Sequence, residues 1–164
     1  MRYPVAHELG TAEECRAAFT RRLVEYWNVR TPAGAAMPAW ADIELMDLYK
    51  IAHCIVVKDV LAGDRDFVNR FWGSELTNVF GFEGTGLRVS NYEPESLREN
   101  SMKRFAAVAG GTTAAVRGEL ESHGEGKWLR FELVHLPLAG TGDPGRVGHI
   151  ISVYDFAYLA DDPS

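Results

Sequence analysis

Histidine is the residue type in this 164-residue chain that most readily supports metal binding or acid–base chemistry. His135 and His149 lie on two predicted neighbouring strands and could approach each other. Two neutral histidines with a carboxylate can hold a metal ion, whereas a histidine near the end of a sheet is more often hydrogen-bonded or exposed. The chain has no HExxH motif, no CxxC motif and no aspartate-rich cation loop, so no metal site is predicted. The five histidines are His7, His53, His123, His135 and His149.

The residues that perform covalent catalysis lack a recognisable setting in this sequence. There is no GxSxG nucleophile elbow, and neither Cys15 nor Cys54 has the neighbours of a catalytic thiol. Reduced thiols in a cytoplasmic protein are the simplest interpretation of two distant cysteines, with a disulfide between them as the alternative. Asp59 and Asp155 lie near strand ends, where a solvated carboxylate is the default, although an acid–base pair of aspartate and histidine stays open. No catalytic residue is predicted.

Three glycines in the pattern GxxGxG raise the question of a phosphate-binding loop. They are Gly81, Gly84 and Gly86 in the stretch FWGSELTNVFGFEGTG. A phosphate site of this kind needs a strand immediately before the glycines and a helix N-terminus immediately after them. Neither flank provides that, and no Gly-Lys-Ser/Thr follows. The glycines instead indicate tight backbone between short helices.

Composition and charge describe an ordinary globular protein of one domain. The hydrophobic fraction is 46% and the charged fraction 24%. A net charge of −6 argues against a non-specific nucleic-acid binder or a binder of anionic membranes, because these carry basic surfaces. No apolar run approaches the roughly 20 residues that span a bilayer, and the N-terminus lacks an apolar signal core. We therefore expect a cytoplasmic protein without nucleic-acid or membrane partners.

An amphipathic helix is predicted near the N-terminus, in AEECRAAFTRRLVEYWNV. Thr11 is its expected N-cap, and Glu14 three residues later completes a capping box. Apolar residues recur at spacings of three and four along one side, opposite a charged side. Such a stripe must cover something, either the sheet of the same chain or a second copy of the protein. The predicted dimer or partner interface consists of Cys15, Phe19, Leu23 and Trp27.

The periodicity changes after the proline-containing connector RTPAGAAMPAW. Two β-rich stretches predict a hairpin, and two helices follow, the first capped by Ser74 and the second ended by Gly110. The last third predicts three strands, with a flexible surface loop at AGTGDPG between the last two. In chain order these strands and helices fall in IAHCIVVKDVL, FVNRFW, SELTNVFG, EPESLRENSMKRFAAVAGG, TTAAVRGELES, KWLRFELVHLPL and RVGHIISVYDFAYL.

Two strands, a helical middle and three strands favour an α+β fold. We expect a five-stranded antiparallel sheet with a helical connector on one face. The last strand, VGHIISVYDF, is apolar on both of its alternating sides, which predicts a position inside the sheet with cover on both faces. The N-terminal helix is the expected cover of the second face.

This order of elements, and the residues that carry it, resemble a PAS domain, in particular the stand-alone PAS-like family common in alphaproteobacteria. Its members show a small-residue or proline pair before a D-I helix, a strand ending in R-aromatic-x-G-(S/T), and F-G-x-(D/E)-x-T-G ahead of a connector. The resemblance implies an N-terminal helical extension and connector at 1–36, a PAS domain at 37–158 and a disordered tail at 159–164. The matching residues are Met37-Pro38, Asp42-Ile43, Arg70 to Ser74, Phe80, Gly81, Glu83, Thr85 and Gly86.

PAS domains differ in their cofactors, and the residues that hold the known ones are missing from this sequence. The stretch from Ser74 to Tyr92 has no cysteine like that of the flavin-adduct members, and the long helix, Pro94 to Ala109, has no histidine to ligate haem. The chromophore-bearing cysteine of the xanthopsin type is likewise missing. The resemblance therefore implies a PAS pocket without a recognised cofactor.

A PAS pocket lies between the inner face of the sheet and the connector helices, where an apolar cavity with a few polar groups suits a small apolar or aromatic molecule. In the alternative, aromatic side chains fill this space completely. A buried Asn69 or His135 without a protein partner would favour a ligand, because such a group costs roughly 1–3 kcal/mol. The predicted ligand-binding residues are Phe67, Asn69, Phe71, Phe80, Tyr92, Phe105, Phe131, His135 and Tyr154.

The resemblance and the lack of a catalytic constellation together predict a non-enzymatic sensory or regulatory module. It would bind a small molecule or a signalling protein and act in trans, as a homodimer formed through the N-terminal helix. The alternative function is a small α+β enzyme of the cone-shaped, isomerase-like kind, with an aspartate or histidine base in a deep pocket. That fold places its helices mainly before the sheet, whereas this sequence predicts a helical block between the second and third strands.

Overall fold

One antiparallel sheet of six strands carries the fold in the computed structural model, which describes residues 5–124 and 126–158. The strands are β1 (Val5–Gly10), β2 (Ile55–Val60), β3 (Phe67–Trp72), β4 (Ala114–Glu121), β5 (Trp128–Gly140) and β6 (Asp143–Tyr158). The helices are α1 (Ala18–Arg30), α2 (Ser74–Phe80) and α3 (Glu95–Ala109), with short 3₁₀ turns between them. Across the sheet the strands follow the order β1-β4-β5-β6-β2-β3.

The five predicted strands lie in a single antiparallel layer, which confirms the α+β class. The hairpin of β2 and β3 joins the other strands through β6, which pairs with β2 on one side and β5 on the other. Both α2 and α3 lie between β3 and β4 in the chain. The cone-shaped alternative places its helices before the sheet, so that alternative is not the fold of this chain.

The sixth strand, β1, was missing from the sequence-based expectation. It pairs antiparallel with β4, from Val5 opposite Glu119 to Gly10 opposite Ala115. Its partner is about a hundred residues away in the chain, and a short segment such as VAHELG contains no local signal for so distant a pairing. The predicted disordered tail at 159–164 and the side chain of His7 lie outside the described residues.

β6 occupies the interior of the sheet, as its two apolar sides predicted. Ile151 and Val153 are fully buried on the side that α1 covers, and Ile150 is fully buried on the opposite side. The predicted flexible loop at AGTGDPG is wrong, because β5 and β6 extend into it and Gly140 pairs with Asp143 across a tight turn. The backbones pack closely beside that turn, where a Cβ atom on Gly148 would lie 2.4 Å from the Cα atom of Gly140.

Helix α1 begins at Ala18, later than the predicted capping box at Thr11. A 3₁₀ turn, Ala12–Glu14, occupies the predicted first turn, and the side chain of Thr11 caps nothing. The N–H groups at the start of the helix are bound by the sheet instead. The carboxylate of Glu132 accepts from the N–H groups of Arg16 and Ala17 at 2.9 and 3.0 Å. Partners from distant strands therefore replaced the local cap that the sequence indicated.

The apolar stripe of α1 packs on the sheet of its own chain. Cys15 and Leu23 are buried, with exposed fractions of 4% and 1%, and Phe19 and Trp27 pack against the same cluster. The indole N–H of Trp27 also donates to the carbonyl oxygen of Pro137 at 2.8 Å. These four residues thus agree with the alternative in which the helix covers the sheet of its own chain, since their side chains pack there within a single chain.

The other face of the sheet is covered by α2 and α3. Ser74 is the first residue of α2 rather than its cap, and Gly73 holds the cap position. A Cβ atom on Gly73 would lie 2.3 Å from the carbonyl oxygen of His53, so only glycine fits there. Helix α3 ends at Ala109 with Gly110 as its C-cap, as predicted, but Pro94 is its N-cap rather than its first residue. In the described part of the chain, no helix has both the length and the apolar character needed to span a bilayer.

Candidate ligand-binding site

A cavity of about 280 Å³ lies between the sheet and the connector helices. Its walls come from β2 to β6 on one side and from α2, α3 and the segment between these helices on the other. Aromatic side chains make up much of this wall. Of the predicted ligand-binding residues, those that line the cavity are Phe80, Tyr92, Phe105, Phe131, His135 and Tyr154.

Two predicted residues on β3 support the cavity without lining it. Phe67 is fully buried, with its ring centroid 5.6 Å from that of Phe105. The side-chain amide of Asn69 donates to the carbonyl oxygen of Gly84 at 3.0 Å and to the hydroxyl of Tyr92 at 3.1 Å. Asn69 therefore has protein partners, and it positions Tyr92, which faces the cavity.

The expected position of Phe71 needs correction, because a β-bulge interrupts the alternation of β3. Val57 on β2 lies opposite Phe71, but the next residue, Lys58, lies opposite Asn69, so Arg70 is an extra residue on β3. The bulge turns Phe71 to the α1 side of the sheet, where it packs on that core. Trp72 takes the cavity side in its place. Sequence alternation alone cannot reveal an inserted residue.

Gly84 makes room for the indole ring of Trp72. A Cβ atom at position 84 would lie 2.6 Å from the ring, closer than van der Waals contact allows. Gly81 has a φ of 82° and ends α2 in the left-handed conformation. The glycine motif therefore serves tight backbone and ring packing, which agrees with the interpretation of the sequence.

Lys58 is a deeply buried charged residue of the cavity that the sequence analysis missed. It lines the cavity from β2 with only 4% of its surface exposed. Among the described residues it forms no hydrogen bond and no salt bridge. Its ammonium group lies over the ring of Phe105, whose centroid is 4.4 Å from Nζ. Burial lowers the pKa of Lys58 to about 7. Side chains alternate along β2, so Lys58 lies on the same side of the sheet as Val56. This alternation was the feature of the sequence that could have identified Lys58.

His135 and Trp72 each bring one unsatisfied nitrogen to the same cavity. The Nδ1 atom of His135 shares a hydrogen bond of 2.5 Å with the hydroxyl of Ser152. Its Nε2 atom and the Nε1 atom of Trp72 are buried without a hydrogen-bond partner among the described residues. Burial, and then the charge of Lys58, lower the pKa of His135 well below its ordinary value, so its ring is neutral. Each unmatched nitrogen costs roughly 1–3 kcal/mol.

The remaining charged residues of the cavity wall are paired or lie at its mouth. Arg104 on α3 donates from Nε and Nη2 to the carboxylate of Glu8 at 3.0 and 2.6 Å. The side chain of Glu93 is 81% exposed and lies 3.8 Å from Arg98. The buried hydroxyl groups stay protonated, since burial raises the pKa of Tyr154 to about 12 and that of Tyr92 further. Within the described lining, Lys58 is therefore the unpaired cation.

The other candidate groups for chemistry lie away from the cavity. His149 binds Asp59 at 2.8 Å on the α1 side of the sheet, opposite His135. Across residues 5–124 and 126–158, His, Cys, Asp and Glu side chains form no group of three that could hold a metal ion. Cys15 and Cys54 are free thiols in the α1 core, and burial raises their pKa values to about 11 and about 12.

Comparison with known proteins identifies the family of this fold. No curated protein sequence matches the chain. The sequence pattern of the family described as "PAS domain" matches residues 15–151, a range that includes α1 to α3, strands β2 to β5 and the first part of β6. The chain therefore belongs to the PAS domain family, whose members are generally sensory or regulatory modules.

Proposed function

We propose that this chain is a non-enzymatic sensory module that binds a small organic molecule in the cavity between the sheet and α3. The occupied state is then read by a second protein, in trans. The observation that carries the proposal is the set of three unmatched polar groups, on Lys58, Trp72 and His135, around one aromatic cavity. A few convergent polar groups in an apolar wall are typical of a small-molecule site.

The size of the cavity supports a ligand over a core filled by side chains. About 280 Å³ remains open, just below the roughly 300–1,000 Å³ of small-molecule pockets. A well-packed interior leaves few voids larger than a water molecule. A space of this volume with polar atoms on its wall therefore suits a compact aromatic ligand.

Helix α3 is the element through which the bound state is communicated. Ser101, Arg104 and Phe105 present one side of α3 to the cavity, and Arg104 also binds Glu8 on β1. A ligand that contacts α3 thus also affects the edge strand β1, through the contact between Arg104 and Glu8. The partner is a signalling protein or a second copy of the chain. Because the apolar side of α1 packs on its own sheet, such a partner meets the outer side of α1 or another surface.

A neutral aromatic probe tests whether the cavity binds ligands at all. Native mass spectrometry of the purified protein reports any retained small molecule, and titration with N-phenyl-1-naphthylamine reports occupancy by fluorescence. We expect Ser101→Phe to abolish both signals, since Ser101 is 5% exposed and lines the cavity. Asn100→Phe is the matched control, because it adds the same ring to the exposed side of α3.

Two outcomes separate the possibilities. Retention or probe binding that Ser101→Phe removes and Asn100→Phe leaves intact supports the proposal. A protein that carries no small molecule and binds the probe equally well in both variants contradicts it, because the probe then binds elsewhere.

A further inference from the structure

This inference deepens the proposed function and rests on it. We propose that the ligand of the cavity is a small aromatic or apolar molecule that carries a carboxylate, and that Lys58 and Trp72 donate hydrogen bonds to its oxygens.

The first argument is the isolation of Lys58. A buried ammonium group needs an opposite charge or hydrogen-bond acceptors, because leaving water without them is strongly unfavourable. Lys58 has only the ring of Phe105 among the described residues, and the described residues of the buried cavity wall include no carboxylate. A ligand that carries one negative charge would form an ion pair with Lys58.

The second argument is the kind of polar group that surrounds Lys58. The Nε1 atom of Trp72 can only donate a hydrogen bond, and it is buried without an acceptor. In the described structure neither the ammonium group nor the indole N–H has an acceptor, and the oxygens that side chains bring to the buried wall belong to neutral hydroxyl groups. A carboxylate has two oxygens that accept several hydrogen bonds, so it matches this excess of donors.

The third argument separates a carboxylate from a phosphate or sulfate. Proteins commonly bind a phosphate group through bidentate arginines or several backbone N–H groups, since it carries more charge and more oxygens. The arginine of the cavity wall, Arg104, already binds Glu8 through Nε and Nη2. One lysine and one indole N–H suit a single negative charge.

The apolar body of the ligand follows from the rest of the wall. The rings of Phe80, Phe105, Phe131 and Tyr154 lie around the cavity, and Phe80 and Phe131 each approach Tyr154, with centroids 5.6 and 6.0 Å away. Aromatic walls favour a flat, apolar molecule that can pack against ring edges and faces. The ligand class is therefore an aromatic monocarboxylate rather than a small polar acid.

Binding of a carboxylate is expected to be linked to the charge of Lys58. In the empty cavity its pKa is about 7, and a bound anion raises this pKa, so the complex takes up a proton. Affinity is then highest below pH 7 and falls as the pH rises through the free pKa, by roughly tenfold or more between pH 6 and pH 8.5. The other titratable or charged residues around the cavity are Tyr92, Glu93, Arg104, His135 and Tyr154.

The experiment compares matched acids and amides by isothermal titration calorimetry. Benzoate, phenylacetate and 2-naphthoate are each paired with the corresponding neutral amide, which keeps the ring and removes the charge. We expect the best acid to bind at least about tenfold more tightly than its amide at pH 6.5, and this preference to shrink at pH 8.5. Lys58→Met should abolish the preference by weakening the acid far more than the amide, and Lys103→Met, at an exposed position of α3, is its control.

Trp72→Phe provides a second variant that removes the indole N–H and keeps an aromatic ring. It should weaken the acid several-fold and the amide less. Equal binding of acid and amide, with no effect of Lys58→Met and no pH dependence, would overturn the carboxylate while leaving the cavity as a ligand site. If no compound of either series binds and N-phenyl-1-naphthylamine does not bind either, the proposed function itself fails.

Discussion

Glu132 on β5 and Asp155 on β6 lie directly opposite each other, and both carboxylates accept backbone N–H groups at the start of α1. Glu132 binds the N–H groups of Arg16 and Ala17 and the hydroxyl of Thr20, and Asp155 binds the N–H group of Phe19 at 2.9 Å. Negative charge is favourable at a helix N-terminus. A cross-strand pair of carboxylates, which would otherwise repel each other, therefore fixes the helix on the sheet.

Replacing Glu132 by Gln should lower the free energy of unfolding by about 1–3 kcal/mol at pH 7. Burial raises the pKa of Glu132, but hydrogen bonds from Thr20, Ala17, Arg117 and Arg16 outweigh burial and hold the pKa below its ordinary value. Its contribution is complete above the unfolded pKa of about 4.3 and is lost as the pH falls through the folded pKa. Urea denaturation at a series of pH values should therefore show that the free energies of unfolding of the unmodified protein and of Glu132→Gln become equal at acidic pH.

The matched control for this charge is Glu119→Gln, on the neighbouring strand β4. Glu119 is exposed and lies 3.9 Å from Arg130, so its removal should change stability by less than about 1 kcal/mol. An equal effect of both substitutions would show that α1 does not depend on Glu132.

Shortening Leu23 to Ala tests whether the stripe of α1 serves the single chain. Leu23 is 1% exposed within the core that α1 forms with the sheet, and its truncation should cost about 2–5 kcal/mol. Val29→Ala on the same helix is the control, because Val29 is 82% exposed. Thermal unfolding measures the loss, and sedimentation velocity measures the association state. A change in association without a loss of stability would instead favour a dimer formed through the stripe.

Exchanging Lys58 for Met should stabilise the ligand-free protein by about 1–4 kcal/mol, because an unpaired buried charge gives way to an apolar side chain. Its folded pKa, about 7, lies below its ordinary value of 10.5. The charge is thus unfavourable to folding below pH 7, and this effect fades as the pH rises toward 10.5. Denaturation should show that the substitution increases the free energy of unfolding most near pH 6 and less near pH 9.5. A gain that is equal at both pH values would argue that Lys58 is not desolvated.

A methyl group at position 84 should disturb Trp72. Because a Cβ atom there would lie 2.6 Å from the indole ring, Gly84→Ala should cost about 1–3 kcal/mol and move the ring toward the cavity. Intrinsic fluorescence and affinity for N-phenyl-1-naphthylamine both report the shift. The control is Gly145→Ala, where the nearest atom, Oδ1 of Asp143, is 3.6 Å away. If the two variants behave alike, Gly84 is not a packing position.

Local patterns in the sequence predicted the elements whose causes are local. The alternation of β5 and β6, the glycines after α2 and α3, and the two apolar sides of β6 each follow from neighbouring residues, and the structure agrees with them. Thr11 and Glu14 also form a sound local signal, but the carboxylates of Glu132 and Asp155 supplied stronger partners and moved the start of α1. Tertiary contacts override such preferences routinely.

Most of the predicted cavity residues were found in its wall, including His135 and Tyr92, but Lys58 and Trp72 were missed. Phe105 and Tyr154 fall on apolar periodicities that any core-facing residue shares. Lys58 was missed because a lysine on a strand is ordinarily solvated, and only the three-dimensional structure shows that α3 covers it. Trp72 was missed because a prediction from strict alternation of side chains cannot detect the extra residue in β3.

The bulge at Arg70 has a consequence for relatives of this protein. Strand length upstream of the glycines decides which aromatic residue faces the cavity. Removing one residue there would restore a regular ladder, bring Phe71 to the cavity side and send Trp72 to the α1 side. The lining of the cavity in such proteins can therefore change through an insertion or deletion without any substitution in the wall itself. Alignments that treat a one-residue gap in this strand as neutral would assign the wrong side chain to the cavity wall.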